Sequence, residues 1–150
     1  MKLAESSRRK FEIFFRQQFK NEQFKLPGIY FYTGRFSLFL TTMLNIHGIT
    51  VGRSVFVKPK SVTFLENKKY KIQVELAAHE IAHVLQFERE GFFRFLYKYS
   101  KSFAGNLKQK GNFNSISRQE AYWEIPFEIQ ARDIAAKFVK WNEDFQSKNL

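Results

Sequence analysis

The chain contains no cysteine. That excludes disulfides and any metal site built on thiolate sulfur, leaving histidine and carboxylate as the side chains that could hold a metal. Long apolar runs are also missing. None approaches the ~18 to 20 residues of a membrane span. The N-terminal stretch MKLAESSRRKFEIFFRQQFK lacks the continuous apolar centre and small-residue cleavage site of a secretory signal. The expectation is therefore a cytoplasmic protein, with peripheral membrane attachment or export by a dedicated system as the other routes. Acidic residues are scarce as well, 14 against 25 basic, for a formal net charge of +11. Such a charge favours an anionic membrane surface or an acidic partner, with nucleic acid ranked lower. A plain solvated basic surface accounts for the same number. Histidine is rare, with only three in 150 residues.

Aromatic residues are plentiful, with 19 phenylalanines, enough to fill an interior with rings. At this length, one domain spanning residues 1–150 is expected, with a core over about 30–146. Phe11, Phe14, Phe15 and Phe19 recur at helical spacing, so a basic amphipathic helix is predicted over about 7–24, its stripe turned to the core in preference to a membrane. A second helix is predicted from Phe36 to His47, capped by Gly48. ITVGRSVFV follows, with Gly52-Arg53 placed to turn a type II′ hairpin. KPKSVTFLENKKYK reads as turn-rich with one further short strand. The segment from Ile72 to Phe87 is apolar nearly all round and predicts a central buried helix ended by Gly91. A helix over Phe92–Phe103 comes next, then a basic loop GNLKQKGNFNSIS. A capping box is expected from Ser117 to Glu120, and a kink or fresh start at Pro126 before the last long helix.

The chemistry concentrates in AAHEIAHVLQ, residues 77–86. Positions i and i+4 of a helix project from nearly the same angle, so His79 and His83 can aim ring nitrogens at one ion. Zinc takes nitrogen and oxygen ligands in a tetrahedron, and a catalytic zinc keeps three protein ligands and one open position for water. Glu80, offset by one residue, is spaced to take a proton from that water. The bland alternative is a polar network inside the core without metal. Against it stands the cost of burying two imidazoles and a carboxylate on a helix lined by Ala77, Ala78, Ile81, Ala82, Val84 and Leu85.

Glu75 shares the helix face, but one straight face cannot surround an ion, so a second helix must bring the third ligand. YWEIPFEIQARDIAA is the best source. If Phe127, Ala131, Ile134, Ala135 and Phe138 form its buried face, Glu128 falls among them. Glu124 is the next choice, followed by Glu120 and Asp133. Gln86 lies on the histidine stripe as a residue supporting the ligands or touching substrate. Tyr97, Tyr99 and Tyr122 are candidate donors to an oxyanion or ordinary packing aromatics. His47 reads as structural.

Together, GITVGRSVFV, ELAAHEIAHVLQ and PFEIQARDIAA resemble the zincin-like, His-Glu-x-x-His metallopeptidase domain of core proteins in extracellular contractile injection systems. Small bacterial proteins with Pro-aromatic-Glu-x-x-Ala after the motif are similar too. The resemblance spans roughly residues 48–136. It implies zinc bound by His79, His83 and Glu128, with Glu80 as base, a gluzincin-like arrangement. Arg132 stands four residues after Glu128, where larger gluzincins carry aspartate. The expected fold is mainly α (α+β), the motif helix packed on a C-terminal glutamate helix beside a small β-hairpin. The expected function is zinc-dependent hydrolysis of peptide bonds, with Gln86, Glu124 and Tyr122 as supporting or substrate-contacting residues. Lys98, Lys101, Lys108 and Lys110 would form a basic groove. The rivals are a non-catalytic, zinc-stabilised interaction module and a basic protein that binds nucleic acid or anionic membrane.

Overall fold

The computed structural model describes residues 1–43, 46–64 and 70–148. The architecture is mainly helical with a small amount of sheet. Helix α1 (Glu5–Phe19) is followed by strand β1 (Tyr30–Tyr32), helix α2 (Arg35–Met43) and the strand pair β2 (Gly48–Val51) and β3 (Ser54–Val57). A second pair, β4 (Val62–Phe64) and β5 (Tyr70–Ile72), precedes helices α3 (Val74–Glu90), α4 (Phe92–Lys110), α5 (Ser115–Trp123) and α6 (Pro126–Ser147). No helix among the described residues is long and apolar enough to cross a membrane.

α3 sits at the centre. Ala78, Ile81, Ala82 and Val84 are wholly buried, and the helix packs along α6 on one side and β2 on another. The phenylalanine stripe of α1 turns inward: Phe11 stacks on Phe138 of α6 with ring centroids 4.0 Å apart, and Phe14 meets the same ring edge-on at 5.1 Å. Edge-on and offset ring pairs of this kind add to area burial in fixing how α1 docks.

Three strands form a sheet in the order β1-β3-β2. β2 and β3 are antiparallel, with Val51 opposite Ser54, so Gly52-Arg53 is a two-residue turn. Gly52 has φ +59 and Arg53 is not among the positive-φ residues, as a type II′ turn requires. β1 joins β3 in parallel. The polar stretch after Pro59 holds a second antiparallel strand pair, β4 with β5, and not a lone strand.

Several expected boundaries move, each for a local reason. α1 ends at Phe19 and not near 24, because Lys20 turns left-handed (φ 50) and its amide and that of Asn21 close back on Gln17 and Arg16. Gly48 does not cap α2. It opens β2 opposite Val57, and the His47 carbonyl accepts from Lys58, so sheet pairing takes the residues assigned to the helix end. α2 extends to Met43, and residues 44–45 of the helix expected up to His47 lie outside the described residues. α3 begins at Val74 and does end at Gly91. α4 runs past Phe103 to Lys110, absorbing the first half of the expected loop. Asn106 anchors that extension by donating to the Ala121 carbonyl of α5, and left-handed Gly111 ends it. The capping box does not form. Asn114 is the cap of α5, its side chain accepting from the Ser117 amide at 2.8 Å, and Glu120 is left exposed. At Pro126 the chain makes a fresh start: Ile125 is extended and proline occupies the first turn of α6, where a missing amide hydrogen costs nothing.

Candidate metal centre

α3 and α6 bring three potential ligands to one point. His79 Nε2 lies 3.1 Å from His83 Nε2. Glu128 faces both rings with different oxygens, Oε2 3.2 Å from His79 Nε2 and Oε1 3.2 Å from His83 Nε2. Metal–ligand bonds of about 2.0–2.1 Å in a tetrahedron separate neighbouring ligand atoms by about 3.3 Å, close to each of these three separations. His79, His83 and Glu128 form the one group of this kind among the described residues. Glu128 Oε2 is buried without an aligned hydrogen-bond donor, a costly condition that a cation would relieve.

The surrounding hydrogen bonds determine which histidine nitrogen is free. Gln86 Nε2 donates to the Phe127 carbonyl and to Gln130 Oε1, both at 2.9 Å. Its Oε1 must therefore be the atom 2.8 Å from His83 Nδ1, and that nitrogen must carry the proton. In the neutral ring that metal binding requires, Nε2 of His83 then carries the lone pair on the side facing His79 and Glu128. Tyr99 of α4 donates to Glu128 Oε1 at 2.7 Å.

Charge in the cluster is strongly coupled. Burial alone would lower the His83 pKa, but the adjacent Glu128 carboxylate outweighs it and the net shift is upward. For Glu128, burial opposes ionisation, yet the His79 and His83 imidazoles and Tyr99 hold it well below the usual carboxylate range. Burial pushes the Tyr99 and Tyr122 hydroxyls far up, with Glu128 reinforcing it, so both remain donors at any physiological pH.

Glu80 is buried against β2. Thr50 Oγ1 donates to its Oε2 at 2.7 Å and approaches its backbone carbonyl at 3.2 Å. Gly48 makes room for the other oxygen, since a Cβ there would stand 2.5 Å from Glu80 Oε1. Burial raises the Glu80 pKa, while His83, His79 and Thr50 pull the other way.

Of the other sequence candidates, Gln86 lies against the cluster, and Tyr122 is half-buried with its hydroxyl under the influence of Glu128. Glu124 is not at the site. It is exposed at the end of α5 and pairs with Lys110 at 2.5 Å, because the break before Pro126 turns it away from the face that Glu128 occupies. Glu120 reaches Lys110 at 3.5 Å, Asp133 pairs with Lys137 at 2.7 Å, and Glu75 is exposed. Tyr97 is exposed with Lys101 over its ring. Two of the four lysines assigned to a basic groove are engaged, Lys98 with Glu90 at 2.6 Å and Lys110 with Glu124. His47 is exposed, 3.4 Å from the Ser61 hydroxyl. Sequence reasoning missed Thr50 and gave Gly48 a different duty, and nothing in the strand pattern distinguishes Thr50 from an ordinary strand threonine. Compared with protein-family models, curated proteins and solved structures, the chain gives no match.

Proposed function

We propose that this protein is a zinc-dependent hydrolase of peptide bonds with a zincin-like, gluzincin-type site. The observation that carries the reading is the cluster of His79, His83 and Glu128, with the ring nitrogens 3.1 Å apart, a carboxylate oxygen 3.2 Å from each, and Glu128 Oε2 buried without an aligned donor. The resemblance of the three sequence segments to zincin-like domains supports the same ligand set. Zinc held there would lower the pKa of a bound water toward ~7 and polarise a carbonyl.

This chain's own residues supply the rest. His83 is fixed in the ligand tautomer by Gln86, and Gln86 is fixed by the first turn of α6. Glu80 is the proton acceptor. Its upward-shifted carboxyl suits a base that takes a proton and passes it to the leaving amine. Tyr99 and Tyr122, protonated and close to Glu128, are the hydroxyl donors at the site.

A second reading is favoured by one observation. Glu80 is clamped between Thr50 and Gly48, as a carboxylate that only ties α3 to β2 would be. That describes a zinc-stabilised module without turnover. One experiment separates the two. Metal analysis of the wild type should find one zinc per chain, lost in His79→Ala and Glu128→Ala. Glu80→Gln should keep the zinc and lose hydrolysis of a casein or fluorogenic peptide substrate. Absence of stoichiometric zinc overturns both readings, and zinc without wild-type hydrolysis leaves the module.

A further inference from the structure

α4 has two unlike faces. Inward, Phe95 packs on Phe87 with ring centroids 3.9 Å apart and Tyr99 reaches Glu128, so this side walls the metal centre. Outward, the first turns expose Phe93 at 84 %, Tyr97 at 65 % and Leu96 at 41 %. Phe93 meets the neighbouring Phe92 ring edge-on at 5.5 Å, and most of its surface and that of Tyr97 stays open to solvent. The helix contains no acidic residue, and its basic residues are Arg94, Lys98, Lys101, Lys108 and Lys110.

The arrangement of those charges is what gives the face a partner. Arg94 and Lys98 both converge on Glu90, at 3.7 and 2.6 Å, with Arg89 at 3.3 Å, so three cations share one carboxylate. Lys101 pairs with no carboxylate among the described residues and lies over the Tyr97 ring. Lys108, further along the helix, pairs with none either. Cations therefore flank the exposed rings without matching anions. A protein partner would need an acidic apolar groove. A bilayer with anionic headgroups offers negative charge over hydrocarbon as one continuous surface, the combination that a helix with apolar and basic sides recognises. Flexible lysine stems reach headgroup phosphates while aromatic rings settle at the boundary below.

We propose that the outward face of α4 docks this protein on an anionic phospholipid membrane. The helix lies along the surface and does not cross it. Because the same helix walls the metal centre through Tyr99, docking brings that centre next to the bilayer. Another exposed aromatic pair, Phe36 and Phe39 on α2, has Arg35 as the only basic residue of its helix and supplies the internal comparison.

The test is co-sedimentation of the full chain with vesicles of phosphatidylglycerol and phosphatidylcholine, against vesicles of phosphatidylcholine alone. Binding is expected on the anionic vesicles only and should weaken as salt rises. Phe93→Glu with Tyr97→Ser should weaken it at least about tenfold, and Lys101→Glu with Lys108→Glu comparably. Phe36→Ser with Phe39→Ser should leave it unchanged. Circular dichroism and zinc content verify that each variant is folded. Four results overturn the proposal. They are no vesicle binding, equal binding to neutral vesicles, loss through the α2 pair, and loss through the lysines alone with Phe93→Glu and Tyr97→Ser neutral. The last result identifies a polyanion site such as one for nucleic acid.

Discussion

The Thr50 hydroxyl donates to Glu80 Oε2 at 2.7 Å and joins the proposed base of α3 to strand β2. It is the only side-chain hydrogen bond reaching that carboxylate among the described residues. Thr50→Val keeps the shape and removes the donor. The cost of a buried carboxylate deprived of a charge-assisted bond is about 1.5–3 kcal/mol, read as a fall in thermal midpoint. Zinc content should not change. Turnover should fall while KM stays near its wild-type value, and Thr50→Ser should restore most of it. Equal stability in Thr50→Val and wild type would show that the bond contributes nothing.

Gly48 is needed for space. A Cβ would stand 2.5 Å from Glu80 Oε1 and 2.9 Å from its Cδ. Gly48→Ala must therefore move Glu80 or shift β2. Overpacking of this kind costs about 1–3 kcal/mol. Hydrolysis should drop with zinc retained, as seen by metal analysis after gel filtration.

Gln86 fixes His83 from behind the ligand face. Gln86→Leu removes the acceptor for Nδ1–H and takes the side-chain donor from the Phe127 carbonyl. Loss of such a support typically weakens metal binding by about 10- to 100-fold. Competition with a chromophoric chelator measures it. An unchanged zinc affinity would mean that packing of α3 on α6 alone orients the imidazole.

On the metal reading, removal of zinc should destabilise the whole chain. With free zinc near ~1,000 times its dissociation constant, linkage supplies about 4 kcal/mol, equivalent to a midpoint shift of roughly 8–16 °C for a domain of this size. Excess chelator should lower the wild-type midpoint by that order and leave Glu128→Ala where it was. A wild type indifferent to chelator would contradict the metal reading.

The hairpin turn is pinned to α3 by Arg53, whose Nε and Nη2 donate to Glu88 Oε1 and Oε2 at 2.8 and 2.9 Å. Arg53 holds the Glu88 carboxyl below its ordinary 4.5. A depressed folded-state value means that the contribution is complete above about pH 4.5 and disappears as pH falls through the lowered pKa. The pair is exposed, so Arg53→Ala should lower stability only slightly at neutral pH. The difference between the two denaturation curves should close on acidification and shrink in high salt.

Much of the helical scaffold was legible because periodicity reports which side of a helix must be buried. The aromatic stripe of α1 and the apolar run of α3 are such signals, and Glu128 stands out as a carboxylate on an otherwise apolar face. Pro126 marks the restart of α6 through its fixed φ. Boundaries decided by tertiary partners were less visible. Gly48 has the composition of a helix cap, yet pairing with Val57 and the proximity of Glu80 give it a place in a strand. The end of α4 depends on Asn106 meeting α5, which no local pattern encodes. Glu124 and Glu128 are one helical turn apart in sequence, and only the break between them sends one to solvent. Thr50 is unmarked because hydrogen bonding to a residue 30 positions away leaves no trace in spacing.

The ligand separation has a further consequence for a chain without cysteine. His79 and His83 come together as soon as α3 forms, but Glu128 must arrive across about 45 residues from position 83. A metal joining them would act as a reversible crosslink, closing a loop for which a disulfide would contribute about 4 kcal/mol of chain entropy. On the metal reading, a copy made where zinc is scarce lacks that crosslink between α3 and α6. That copy opens more readily and is exposed to proteolysis. The amount of this protein in a cell would then follow the supply of its metal, with no regulator beyond the stability of α3 against α6.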